Sequence, residues 1–357
     1  MNKEIIKDSI FVQIAACEER FIELTIKSAI SNAKNPDNLY FGVFNNIINK
    51  EHSLLNNDFI TKNPKIFYTE IITPVPMGVG FGRMNASLLH FDFFDYSFQI
   101  DAHMLFTKNW DEQLINSFNK IKYENNIDEH KLVLSATSSL YWSLIKYELS
   151  ENSSIKLAVI DELTGSPIII DDPLNLEKIF DSKIKWGNSK NKFVYDGKQN
   201  NVEIKDSVGF PVVYGGNQVL SYGSDYIETN GVHATFMFSK SSLSRHILHD
   251  PEDMFHGDQT NYSIRLLSRG YRIFSPAYPV LASLNKFLIV DGKIVTVDEE
   301  YNWRKYKSKK INNYSEYKSW LSFVLWNRLI SGDYHGYWGT PNKQTLEKVK
   351  KDIGYES

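Results

Sequence analysis

An acid and an imidazole stand two residues apart, Asp101 and His103, directly after the predicted strand Tyr96 to Ile100. Residues two apart in extended backbone project to one side, so a strand carried through this stretch lets carboxylate and ring nitrogen grip one ion. One hard oxygen and one borderline nitrogen suit Mn2+ or Mg2+ shared with a diphosphate, or Zn2+ in a hydrolase. The carboxyl end of a strand is also where open α/β sheets bind their ligands. A strand-end turn with a hydrogen-bonded aspartate has the same tripeptide, so the neighbouring motifs decide.

Arg83 follows Gly78-Val79-Gly80-Phe81-Gly82. A glycine loop delivering one arginine at a helix start cradles a diphosphate, because backbone amides and guanidinium both favour anions. The competing reading is a mobile surface loop. The spacing matches neither a Walker loop nor a dinucleotide fingerprint. A second cluster holds His249-Asp250-Pro251 and His256-Gly257-Asp258-Gln259. Asp258 opens a predicted helix, where it serves as an N-cap or as a carboxylate facing a sugar or an acceptor hydroxyl. His233, in a predicted strand, reads as a core or edge histidine rather than a ligand. Cys17, at the end of the apolar run Phe11 to Cys17, reads as a small core residue rather than a nucleophile.

Elements must hold these groups in place. Ile10 to Ala15 reads as a first buried strand and Phe21 to Ala33 as an amphipathic helix ended by Asn35-Pro36. Leu39 to Phe44 and Lys65 to Ile72 follow as strands, so the chain opens as a parallel α/β sheet. Pro74 to Gly82 is a predicted loop before a helix over Arg83 to Phe91. Strands are expected at Tyr96 to Ile100, Lys131 to Thr137, Ser166 to Ile170, Gly231 to Ser239, Tyr271 to Phe274 and Val280 to Leu284. Helices are expected at Trp110 to Ile121, Gly257 to Arg269 and Tyr317 to Leu329. Periodicity fades over about 150–205, an inserted lobe or a set of loops. The resulting organisation is one domain over 1–300 and a basic, aromatic helical extension over 301–357.

The 357 residues carry 40 Lys+Arg against 43 Asp+Glu, a formal charge of −3. That length fits about two domains, or one large α/β domain with an appendage. So balanced a chain has no overall field for recruiting nucleic acid or an anionic membrane. The run Arg304 to Lys318 mixes basic residues with tyrosines, but no nucleic-acid-binding motif accompanies it, and a solvated face explains it. One cysteine excludes an intramolecular disulfide framework and fits a reducing compartment. Met1 to Asp8 contains no apolar h-region, and no uninterrupted apolar stretch approaches transmembrane length. A cytoplasmic protein without a transmembrane segment is expected. Serine-hydrolase, zincin, P-loop and C-x-x-C signatures are absent.

Five blocks resemble, in order, the GlcNAc-transferase family typified by cytoplasmic enzymes that glycosylate a hydroxyproline of a polypeptide. They are Ile10 to Ala16 with Glu19-Arg20; Ala33 to Asn38 with Phe41-Gly42-Val43; Gly82-Arg83; and Gln99 to Phe106 with Trp110-Asp111. The fifth runs from Phe236 to Ser239 through Asp250-Pro251 and Phe255-His256-Gly257-Asp258 to Arg269-Gly270-Tyr271. The resemblance implies a GT-A-type fold, a nucleotide-binding α/β sheet flanked by helices. It also implies a UDP-sugar donor, most simply UDP-GlcNAc, a hydroxyl acceptor on a protein or glycan, and retention of configuration. By position, Asp101 and His103 would ligate Mn2+ or Mg2+ on the UDP diphosphate. Gln13, Ala15 and Arg20 would meet the uridine, Arg83 the nucleotide or its phosphates, and Asp258 the region of donor sugar and acceptor.

Two positions depart from that pattern. The family's paired acids are Asp258-Gln259 here, and a later metal-binding histidine falls near Ser283. Ser283, Asn285 or His335 then stand as third-ligand candidates. The departures also define a second expectation, a nucleotide-sugar-binding protein of the same fold without turnover.

Overall fold

The computed structural model describes residues 4–19, 21–90, 93–136, 145–149, 155–160, 167–170, 226–254, 258–276, 280–283, 287–290, 293–296 and 324–352. An eight-stranded sheet organises them. Its members are β1 (Ile6–Cys17), β2 (Leu39–Ile47), β3 (Ile66–Ile72), β4 (Phe94–Asp101), β6 (Leu132–Ser135), β10 (Tyr226–Thr229), β11 (Phe236–Lys240) and β12 (Arg272–Pro276). Their order is β10-β12-β6-β11-β4-β1-β2-β3. β1 pairs in parallel with β2 and β4, and β2 with β3, while β11 runs antiparallel between β4 and β6. The parallel opening read from the sequence is present.

Ile10, Phe11, Val12 and Ile14 of β1 are all fully buried, as a strand covered on both faces requires. On one face Ile10, Val12, Ile14, Phe98 and Phe238 pack against α1 (Ile22–Asn32) and α4 (Trp110–Glu124). α4 starts at Trp110, whose indole donates to the Ala29 carbonyl at 2.9 Å. Asp111 beside it accepts from the Lys34 and Asn35 amides at 2.7 and 2.8 Å, so this Trp-Asp pair ties α4 to the end of α1. On the other face lie α3 (Val79–Leu88), α5 (Leu243–His246) and α6 (Asp258–Leu267). Leu243, Tyr262 and Leu266 pack there on Val133, Met237 and Ile273. Outside α6, Ile264 gathers Trp326 and Ile330 of α7 (324–331) with Leu346 and Val349 of α8 (Lys343–Asp352).

A two-stranded sheet joins β5 (Met104–Phe106) to β13 (Leu281–Ser283). A five-stranded sheet joins β7 (Ile145–Leu149), β8 (Ile155–Ile160), β9 (Pro167–Ile170), β14 (Phe287–Val290) and β15 (Lys293–Thr296). Residues 171–205 and 301–323 of the predicted insertion and extension lie outside the described residues, as does the 317–323 part of the predicted last helix.

Three expectations are corrected. Helix α3 begins at Val79 rather than Arg83, because the glycines before Arg83 are packed into the helix start. β11 begins at Phe236, so His233 lies in the turn leading into the strand. Cys17 is only half-buried, since β1 carries it past the helical cover to the sheet's carboxyl edge.

Candidate functional site

β4 ends at Asp101, in register with Ala15 of β1. Ala102 and His103 then form a bend before β5, so the Asp-x-His is not one extended strand as its spacing suggested. The Thr25 hydroxyl of α1 pins the bend, donating to the Ala102 carbonyl and accepting from the Met104 amide, both at 2.9 Å. Within it, His103 Nδ1 faces Glu19 Oε2 at 3.0 Å. Asp101 turns to a different partner: its Oδ1 accepts from Arg83 Nη2 at 3.3 Å. Arg83 Nη1 makes a close ion pair with Asp258 Oδ2, so one guanidinium is held between two carboxylates. Arg83 and Asp258 are nearly enclosed, with side chains 6% and 5% exposed, whereas Asp101 and His103 keep 26% and 21%.

The glycines before Arg83 have a packing role. The Val79 and Gly80 amides donate to the Met254 and Asp253 carbonyls at 2.8 Å each. A Cβ on Gly80 would collide with the Asp250 carbonyl, and one on Gly82 would stand 3.3 Å from the Ala15 Cβ. The segment is therefore neither a mobile loop nor an open diphosphate cradle, because backbone carbonyls already take two of its first amides. Those contacts set Arg83 in the second turn of α3, facing Asp258 at the start of α6.

Neutral groups surround this charged line. Burial, then Asp250 and Asp258, push the Asp253 carboxyl well above the ordinary aspartate range, and Asn261 Nδ2 reaches its Oδ1 at 2.6 Å. His249 is fully buried, stacked on Tyr262 with centroids 4.0 Å apart, and burial reinforced by Arg83 and Arg265 holds it well below the ordinary histidine range. His233 is pushed down to about 4, chiefly by burial, with Asp101 opposing and Arg83 adding to the effect.

The remaining sequence candidates fall around this centre. Gln13 is buried with both amide atoms engaged, donating to Ser244 Oγ at 2.5 Å and accepting from Ser87 Oγ at 3.1 Å. Ala15 stands half-buried beside Asp101. Arg20, His256, Gly257 and Asn285 lie outside the described residues. Ser283 is buried in β13 opposite Met104, next to the His103 bend, whereas His335 is exposed. Glu19 was part of a sequence motif but had no assigned role; its place two residues beyond β1 was the available signal.

A strap from the C-terminal region braces the wall behind Asp258. Arg265 of α6 donates to the Leu248 and Tyr337 carbonyls at 2.9 and 3.1 Å, and Arg269 to those of Gly336 and Gly339 at 2.7 and 2.8 Å. Tyr334 donates its hydroxyl to Asp250 Oδ2 at 3.0 Å. Among the described residues, no helix is long and apolar enough to cross a membrane.

Taken together, the parallel strands of a mixed α/β sheet present acids, a seated histidine and a paired arginine at their carboxyl edge, an arrangement suited to a phosphorylated ligand. A family model described as Glycosyltransferase (GlcNAc) matches residues 61–283, more than half of the chain, and the chain belongs to that family. It is also similar to a solved structure of GalNAc-T7 with UDP, GalNAc and Mn2+, at 11% identity and a TM-score of 0.46. That match covers 98% of this chain and 55% of the other, so this chain spans about half the length of that protein. No curated protein matches the chain.

Proposed function

We propose that the protein transfers a sugar, GlcNAc in keeping with its family, from UDP to a hydroxyl of a protein or glycan. A GT-A-type, cytoplasmic enzyme working with retention is the form this reading takes, as the sequence resemblance implies. The observation that carries it is the line Asp101–Arg83–Asp258 at the carboxyl edge of β4, beside the His103–Glu19 pair.

The donor set suits a divalent cation. Asp101 and His103 are the accessible members of their pairs, and Glu19 on Nδ1 fixes the ring in the orientation that second-sphere carboxylates give metal-bound histidines. Among the described residues no group of three His, Cys, Asp or Glu side chains could hold an ion. Two protein donors, with substrate phosphate and water completing the sphere, is the usual manner for Mg2+ and its kin. When bound there, Mn2+ or Mg2+ supplies neutralisation of the charge that develops on the departing diphosphate.

Arg83 adds a fixed positive charge at the same edge, set before substrate arrives because α3 is anchored on residues 253 and 254. Asp258 stands as the carboxylate beside the transferred sugar and acceptor, with Arg83 as its counter-ion. In the front-face reaction the acceptor oxygen bonds to the anomeric carbon as the bond from that carbon to the diphosphate breaks. The acceptor's proton passes to the departing diphosphate oxygen, so no carboxylate nucleophile is required. Gln13, Ala15 and Arg20 are proposed for the uridine end.

UDP release from a panel of UDP-sugars, with Mn2+ or with EDTA, tests the reading on wild type and Asp101→Ala. Release from one donor that disappears in EDTA and in the variant supports it. UDP binding without release, with or without candidate acceptors, favours the non-catalytic nucleotide-sugar-binding protein. Absence of UDP binding removes the glycosyltransferase reading.

A further inference from the structure

His233 has no place in that scheme, yet its setting is unlike that of a packing residue. The antiparallel pairing sets Phe236 against Ile100 and Met237 against Gln99, so the chain ahead of Phe236 continues past the level of Asp101. His233 therefore lies at the carboxyl edge of the sheet, in the same stretch of space as the Asp101–Arg83 pair, and both act on its charge. Its backbone is fixed from two sides. The His233 amide donates to Ser135 Oγ at 2.7 Å, and the neighbouring Ala234 carbonyl accepts from Gln99 Nε2 at 2.9 Å. Its ring is fixed as well, with Nδ1 at 2.5 Å from the Thr235 hydroxyl. The side chain is half-buried, and among the described residues no hydrogen bond reaches Nε2.

A tethered, neutral imidazole with one nitrogen left over is a poor contact for a diphosphate, which selects cations, and a good one for a hydroxyl or amide group. An uncharged polar group of a ligand held beside Asp101 is a partner that suits such a nitrogen. From this geometry we infer that His233 Nε2 hydrogen-bonds a hydroxyl or acetamido group of the sugar carried on the UDP and thereby helps select the donor. The inference rests on the glycosyltransferase reading above. It makes His233 a specificity residue rather than part of the phosphate or cation machinery. Its contact is made with the sugar and not with the nucleotide, so the affinity for UDP alone is independent of it. Losing one such bond removes about tenfold in affinity.

Calorimetric titration of UDP and of UDP-GlcNAc, both with Mn2+, into wild type, His233→Ala and His233→Gln separates the possibilities. Gln keeps an amide group at similar reach and serves as the conservative variant. The expected result is an unchanged Kd for UDP in all three proteins. UDP-GlcNAc binding should weaken about tenfold in His233→Ala and recover at least in part in His233→Gln. The same panel repeated with UDP-GalNAc and UDP-glucose should show the spread between donors narrowing in His233→Ala. Equal UDP-GlcNAc affinity in wild type and His233→Ala, with UDP still bound, overturns the inference and leaves the glycosyltransferase reading standing. Weakening of UDP itself in a folded His233→Ala also overturns it, by placing the residue at the nucleotide. A wild type that binds neither ligand overturns both readings together.

Discussion

Arg83 brings one positive charge into a nearly closed space walled by Asp101 and Asp258. Breaking such a pair from one side leaves a buried carboxylate uncompensated, so Arg83→Ala should lower stability by about 3 kcal/mol, measured as a drop in the urea midpoint. Glu19 works at longer range. Glu19→Gln keeps the shape but loses the charge behind His103, and Mn2+ affinity should fall about tenfold to a hundredfold in a titration of the folded protein. A near-unchanged affinity would show that His103 does not bind the ion. The structure brings together three residues that the sequence had singled out, Arg83, Asp101 and Asp258, and seats a fourth, His103, in the bend that follows Asp101. Who pairs with whom was not legible. The separations from Arg83 to Asp258 and from Glu19 to His103 are set by tertiary packing, and no spacing rule spans them. His233 was expected within a strand, but the strand starts only at Phe236, so the residue lies in the turn ahead of it.

Among the elements, α3 shows composition misleading a reading of local structure. Three glycines in five residues after two prolines look like a loop, yet Gly80 and Gly82 belong to the helix and let it touch neighbouring backbone and Ala15. Gly80→Ala forces its Cβ against the Asp250 carbonyl and should destabilise by about 2–3 kcal/mol, again read from urea unfolding. Because α3 carries Arg83, the same variant should weaken UDP binding even where it remains folded. A loop at this position would have absorbed the methyl group at little cost. Elsewhere the elements were plain. β1 and β2 are covered on both faces and read as apolar runs, β4 alternates Phe94, Tyr96, Phe98 and Ile100 with polar residues, and α1 and α4 show their apolar stripes clearly. The short α5 and the late α8 were not visible, since α5 has a single turn and α8 buries only Leu346 and Val349 among charged residues.

For the molecule as a whole, buried neutral histidines set the response to acid. Burial, followed by Arg245, holds His90 down to about 4, and both its ring nitrogens lack hydrogen-bond partners among the described residues. His233 is held equally low, and His249 well below the ordinary range. In the unfolded chain each takes a proton below about pH 6.5, while the folded protein refuses it until about pH 4 for His90 and His233. The histidines' contribution to stability is therefore complete above pH 6.5 and falls as pH drops from 6.5 to 4, by at most about 1.4 kcal/mol per pH unit per histidine, while the raised carboxyl of Asp253 works in the opposite sense. His90→Phe, which keeps a ring against Phe11 and Phe94, should flatten that slope by one histidine without loss at pH 7.5. Urea midpoints at pH 7.5 and pH 5 measure it.

The strap over α6 has a consequence for how the protein is made. Synthesis on the ribosome delivers β1 to β4 first, a run of neighbouring parallel strands with Arg83 and Asp101 already in it. Asp258 emerges more than 150 residues after both of them. Trp326, Ile330 and the carbonyls gripped by Arg265 and Arg269 come later still. From the addition of residue 83 until residue 258 is added, then, the nascent chain holds an arginine whose close ion-pair partner does not yet exist. α6 likewise waits with one apolar side bare. Nascent chains stalled soon after residue 270 should therefore be cut readily by protease near α6, whereas stalling beyond residue 352 should give protection.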